Sequence, residues 1–169
     1  MTHPGDQPTD PAQVDLRGGH ANEPTIILRR PPGWEIRRDS DTPLVRGVLY
    51  NQELRRHGFT PNAVVTVEDL TGRVGLPAQA LARERAAVTA VVGELDTDVA
   101  GTVSGFPSRT ITYNMQGRPA TGLIVAAQDI HDRIWAITLT MQTADPDNTG
   151  YLTAKQTLLD SLEVRLPTA

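Results

Sequence analysis

The chain has 169 residues, 38% of them apolar and 21% charged, with 16 Lys and Arg against 20 Asp and Glu for a net charge of -4, and no Cys. This length and apolar share suffice for one domain with its own core, while the lack of Cys excludes a disulfide scaffold, thiolate catalysis and any Cys-ligated metal. The basic residues are all Arg except Lys155 and lie singly or in pairs such as Arg29-Arg30 and Arg55-Arg56; without a clustered basic excess, nucleic acid is not expected as a partner.

In chain order, residues 1–24 are rich in Pro and Gly and contain no apolar run, so they read as a disordered leader, with a single domain expected over 25–169. As written, the chain carries no signal-peptide apolar region, no lipid-acceptor Cys and no stretch near the roughly 18 apolar residues of a membrane span. The expectation is therefore a cytoplasmic protein, with secretion or envelope association left open. Residues 25–29 (TIILR) form a short β-branched run stopped by Pro31-Pro32-Gly33, and 44–50 is a second strand candidate. The clearest early strand is 62–70, NAVVTVEDL.

After Gly72 the period changes. Pro77 suits a first helical position, and Ala78, Leu81, Arg85, Val88, Val91 and Val92 recur at three- and four-residue spacing up to Gly93, which predicts a helix over 77–92. Strands are then predicted at 98–104, 109–116, 120–129 and 133–143, with turn chemistry at Gly105-Phe106-Pro107, at 116–119 and at 129–132. Connections this short make an antiparallel meander. In the last of these strands Trp135, Ile137, Leu139 and Met141 share one face. A second helix is predicted over about 149–162, capped by Asn148 or Asp147, and 163–166 can add a terminal strand. The sum is an α+β fold, an antiparallel β-sheet flanked by α-helices.

Few residues suggest chemistry. Asp145, Asp147, Thr149, Gly150 and Leu152 match positions of an EF-hand loop, but its twelfth position is Gln156 instead of a bidentate Glu and the preceding segment alternates as a strand; helix capping explains the same residues. Glu94, Asp96 and Asp98 read as a solvated loop after the first helix, and the four His are dispersed, so no metal is expected. Ser104 lies in a Gly-x-x-Ser-Gly run, which lacks the spacing of a nucleophile elbow. No phosphate-binding glycine motif is present, and no cofactor is expected. Tyr113, Tyr151, Met115, Trp135 and Met141 fit either a core or the lining of an apolar cavity, and Trp34 either plugs the core or offers a ligand platform.

Three stretches have a common source of likeness: Pro31-Pro32-Gly33-Trp34, the run from Gly58-Phe59-Thr60-Pro61-Asn62 through Val65 to Leu70-Thr71-Gly72, and the strand from Trp135 to Thr140. In order and spacing they resemble the LpqN/LpqT family of actinobacterial envelope lipoproteins, across about residues 25–166. The resemblance implies a Mog1/PsbP-like α/β/α sandwich and a non-catalytic binding protein for an apolar or acyl (glyco)lipid, with Trp34, Phe59, Tyr113, Met115, Trp135 and Met141 as candidate ligand-lining residues. The alternative is a protein-interaction adaptor working through a sheet face or the helix 77–92. Those lipoproteins carry a signal peptide and a lipidated Cys, which this sequence lacks. An apolar cavity of several hundred cubic ångströms would favour the first reading, and a packed core with an exposed apolar patch the second.

Overall fold

The structure, a computed structural model, describes residues 12–38 and 42–168. Its strands are β1 (Gln13–Leu16), β2 (Thr25–Arg29), β3 (Glu35–Arg37), β4 (Val45–Tyr50), β5 (Asn62–Asp69), β6 (Thr97–Val103), β7 (Phe106–Met115), β8 (Arg118–Gln128), β9 (Ile134–Gln142) and β10 (Glu163–Arg165), and its helices are α1 (Pro77–Val92) and α2 (Thr149–Ser161). Seven strands form one antiparallel sheet in the order β3-β4-β5-β9-β8-β7-β6, and β1-β2-β10 form a second, smaller one.

The large sheet is a three-layer centre. On one face, Leu49, Val65, Val67, Leu123, Val125, Trp135, Ile137, Leu139 and Met141 pack under α2 and the small sheet, which contribute Tyr151, Leu158, Val14, Leu16, Ile26 and Leu28. On the other, Ile111, Tyr113, Ile124, Ala126, Ile134 and Ala136 meet Ala80 and Leu81 of α1. Strand alternation produces this division, since successive side chains point to opposite faces. The interior strands β8 and β9 are apolar on both faces because both are covered.

Local chemistry fixes the connections. The β6–β7 and β7–β8 hairpins turn on Ser104-Gly105 and Gln116-Gly117, all four at positive φ, the two-residue geometry that matches strand twist. The β8–β9 loop is tied by Asp129, whose carboxylate accepts hydrogen bonds from the backbone N–H groups of His131 and Arg133 at 2.8 and 3.0 Å and from Arg133 Nε at 2.7 Å. At the start of α1, Gln79 Oε1 accepts from the Gly75 and Leu76 N–H groups at 2.7 and 3.2 Å, which satisfies donors that a helix start leaves open. Asn148 Oδ1 caps α2 by accepting from the Tyr151 N–H at 2.9 Å. Gly47 lets β1 close on the large sheet: a Cβ there would lie 3.0 Å from Leu16 Cδ2.

Two expectations need correction. Residues 12–24, taken from composition as part of a disordered leader, contain β1, which pairs residue by residue with β2 from Gln13↔Arg29 to Leu16↔Ile26. Val14 and Leu16 are buried, so two apolar side chains at strand spacing are enough when a partner strand waits; residues 1–11 lie outside the described residues. The turn expected at Gly105-Phe106-Pro107 sits one residue earlier, and Phe106 and Pro107 are already in β7 opposite Val103 and Thr102. Pro is tolerated there because β8 pairs with β7 only from Ser108 onward, leaving no ladder bond for its missing N–H to make.

Truncating the fully buried Leu139 to Ala is expected to cost about 2–5 kcal/mol, and Asn148→Ala about 1 kcal/mol through loss of the cap. Urea denaturation of the two variants checks both values.

Candidate functional site

The helix α1 covers only part of its face of the large sheet. It starts beside β9, where Ala80 and Leu81 lie with Leu70 and Ile134, and crosses toward the far edge, where Arg85 pairs with Asp98 of β6. The β3–β4–β5 side of that face is left uncovered. Strand register arranges it in rows: Tyr50 opposite Asn62, Asn62 opposite Gln142, Gln142 opposite Ala120 and Ala120 opposite Tyr113; then Arg37 opposite Val48, Val48 opposite Val64 and Val64 opposite Thr140. Val48, Tyr50, Asn62, Val64, Thr66, Thr138, Thr140 and Gln142 are all half-buried, as expected for a sheet surface with no layer upon it.

A groove of about 460 Å³ lies here, lined by Arg37, Val48, Tyr50, Gln52, Thr60, Asn62 and Val64. Its middle is apolar, with Val48, Val64 and the Tyr50 ring. Its ends are polar, and the one at Gln52 and Thr60 is held in place: Arg55 donates to Thr60 Oγ1 at 3.0 Å, and Thr60 Oγ1 donates to Gln52 Oε1 at 3.3 Å. The groove is open along its length. Such a surface can bind an elongated apolar group and hydrogen-bond a polar one beside it.

The six residues marked from sequence do not converge. Trp34, Trp135 and Met141 are buried in the cluster beneath α2, on the opposite face from the groove; Trp135 Nε1 has no hydrogen-bond partner among the described residues. Tyr113, Met115 and Phe59 fall on the groove side. Tyr113 is buried at the end of the Tyr50–Asn62–Gln142 row, and burial pushes its phenol pKa up against an opposing hydrogen bond with Thr140. Met115 is half-buried against the α1 cluster. Phe59 lies in the loop before β5, its ring covered by the Arg118 guanidinium at 4.3 Å from the centroid, a cation–π contact that joins this loop to the β7–β8 hairpin.

The other marked residues have structural partners. Ser104 Oγ accepts from the Val164 N–H at 3.0 Å and ties the β6–β7 hairpin to β10. Asp98 pairs with Arg85 and Arg109. In the loop before α2, the Asp145 N–H donates to Thr143 Oγ1 at 3.0 Å, and within α2 Gln156 Nε2 donates to Asp160 Oδ1 at 2.7 Å. The element before this loop is β9, where a calcium loop of the EF-hand type has a helix. Sequence reasoning passed over Val48, Tyr50 and Val64. The available signal was β5 itself, where Ala63, Val65 and Val67 supply one apolar face and Val64 and Thr66 make the other β-branched.

A sequence-family profile described as "Probable lipoprotein LpqN" matches residues 12–165. No curated protein matches the chain. Among solved structures, the crystal structure of LpqN, involved in cell envelope biogenesis of Mycobacterium tuberculosis, superposes with a TM-score of 0.73 at 19% identity, covering 90% of each chain. The Saccharomyces cerevisiae Ran-binding protein Mog1p gives a TM-score of 0.51 at 10% identity over 89% of this chain and 94% of its own. A Mog1 point variant gives 0.53 at 13% identity over 90% and 95%. These likenesses establish a Mog1-like α+β fold. No helix among the described residues is long and apolar enough to cross a membrane.

Where α1 borders the uncovered face, Glu84 meets Glu68 of β5. Burial raises the Glu84 pKa to about 7, helped by the charge of Glu68 and a hydrogen bond shared with it, and opposed by Arg83; Glu68 also pairs with Arg73 at 3.2 Å. An acid whose folded pKa is raised stabilises the fold fully below its unfolded pKa and loses that contribution as pH climbs through the folded value. Stability is therefore expected to fall between about pH 4.5 and 7, and Glu84→Gln to flatten the dependence over that window in thermal melts. An unchanged slope in the variant would refute the coupling.

Proposed function

The chain belongs to the LpqN lipoprotein family, and from that premise we propose that it is a non-catalytic binding protein that takes an acyl or glycolipid-type amphiphile in the groove on the uncovered half of its large sheet. The observation that carries this reading is the groove's make-up. Val48, Val64 and the Tyr50 ring offer apolar contact, flanked by Arg37, Gln52, Thr60 and Asn62. A chain can lie on the first set while a head group bonds to the second. The volume of about 460 Å³ falls in the range of small-ligand sites. Tyr113, Met115 and Phe59 extend the same side of the sheet, whereas Trp34, Trp135 and Met141 serve packing.

The relative's involvement in cell envelope biogenesis supports a role at the envelope and lends nothing to the cytoplasmic expectation. The openness of the groove favours a second reading, an adaptor that presents this sheet face to a protein. The enclosed apolar cavity that would point to a lipid alone is not what this groove is, so the two readings are separated by experiment.

Native mass spectrometry of protein purified from its own host, followed by organic extraction, is expected to yield one stoichiometric acyl species. Val64→Asp, which sets a charge in the apolar middle of an already half-exposed surface, is expected to abolish that adduct while shifting the melting temperature by no more than a few degrees. A clean apo mass, persisting after incubation with acyl glycosides and phospholipids, would overturn the lipid reading in favour of the adaptor. An adduct unaffected by Val64→Asp would move the site elsewhere.

A further inference from the structure

We infer that Tyr113 is the end wall of the groove and sets the length of apolar chain the groove accepts, an inference that rests on the lipid reading of this site. Two rows of side chains make the track that leads to it. Val48 and Val64 form one row and Tyr50 and Asn62 the other, and β9 extends both, with Thr140 opposite Val64 and Gln142 opposite Asn62. These side chains are all half-buried, and the track runs across the strands. On β8 it meets Gly122, opposite Thr140, and Ala120, opposite Gln142.

Gly122 is buried in an interior strand, where glycine weakens the strand and often marks a place that another group approaches closely. The group here is Tyr113 of β7. Tyr113 stands opposite Ala120, and its ring leans over the neighbouring glycine: a Cβ at Gly122 would lie 3.8 Å from Tyr113 Cε1 and 3.3 Å from Ile111 Cγ1. The Tyr113 hydroxyl reaches past β8 to a hydrogen bond with Thr140. With ring and hydroxyl both engaged, Tyr113 is only 4% exposed.

The ring therefore stands where the track ends. On its near side Thr140 and Gln142 are still half-buried; on its far side are Ile111 and, from α1, Ala80 and Leu81, which share its cluster. An apolar chain laid on Val48 and Val64 gains contact as far as Thr140 and then meets the ring, so further methylenes turn out into water. A smaller side chain at position 113 opens the space above Gly122 and lets the chain continue toward Ile111. A tyrosine that served only to pack over a glycine would leave ligand length unchanged when replaced, which makes chain length the deciding readout.

Native mass spectrometry of the protein with n-alkyl glucosides, one homologue at a time from hexyl to dodecyl, measures it. Each methylene that reaches apolar surface adds up to about fourfold in affinity. For the unmodified chain, affinity is expected to climb with length and then level at the homologue whose tip meets Tyr113. Tyr113→Leu is expected to move that break to a longer homologue. Thr140→Leu, at a half-exposed position that tolerates the change, adds bulk in front of the ring and is expected to move the break to a shorter one; it decides alone if Tyr113→Leu does not fold. A break that stays at the same homologue in a folded variant, or no break in the unmodified chain, would overturn the inference and leave the groove reading standing. No binding of any homologue to the unmodified chain would overturn both.

Discussion

The structure depends on the requirement that a sheet apolar on both faces be covered on both. In β8, eight consecutive residues from Ala120 to Ala127 are buried but for none, and their alternate side chains enter two separate clusters. Neither helix could satisfy this alone. The small sheet and α2 cover one face broadly, while α1 buries only Ala80 and Leu81 fully and spans the other diagonally. The unequal covers leave the half-buried surface around Val48, Tyr50 and Val64. The groove is thus a consequence of layer geometry: one short helix cannot roof seven strands.

This origin explains its chemistry. A surface left by an incomplete layer inherits strand alternation, so its side chains stand in rows with β-branched and hydroxyl residues side by side, as Val64 does beside Thr140. Side chains on neighbouring strands stand against one another, and one polar end is braced by the Arg55–Thr60–Gln52 chain of hydrogen bonds. A groove of this type is largely preformed, so the proposed ligand would order few groups that are not ordered already. Glu84 and Glu68 set the border, where the helix margin holds a carboxyl against another in partial burial.

Much of the fold was legible in the sequence because its signals are local. Pro77 and Gly93 bracket α1 at its observed ends, the Gln116-Gly117 pair turns a hairpin, and the alternation from Trp135 to Met141 reports a buried face, whereas the β6–β7 turn was expected one residue late. β1 and β3 were missed because each is too short to show a sustained alternation of its own: Val14 and Leu16 acquire meaning only against β2. The site was the least legible part. Large aromatic and Met residues drew attention, and Trp34, Trp135 and Met141 proved to fill the better-covered face. Which face of a strand lacks a cover depends on where a helix lies, and no local pattern in β4 or β5 encodes that.

The small sheet brings the two ends of the domain together. β1 and β10 flank β2, and their Leu16 and Val164 belong to the cluster on the side of the large sheet away from the groove. A tether joined to the domain ahead of β1, or a fusion extending past β10, would therefore hold the molecule by its back. On a surface, the protein would stand with its groove turned outward, and load applied between its two ends would fall on β1, β2 and β10, leaving the seven-stranded sheet out of the line of force.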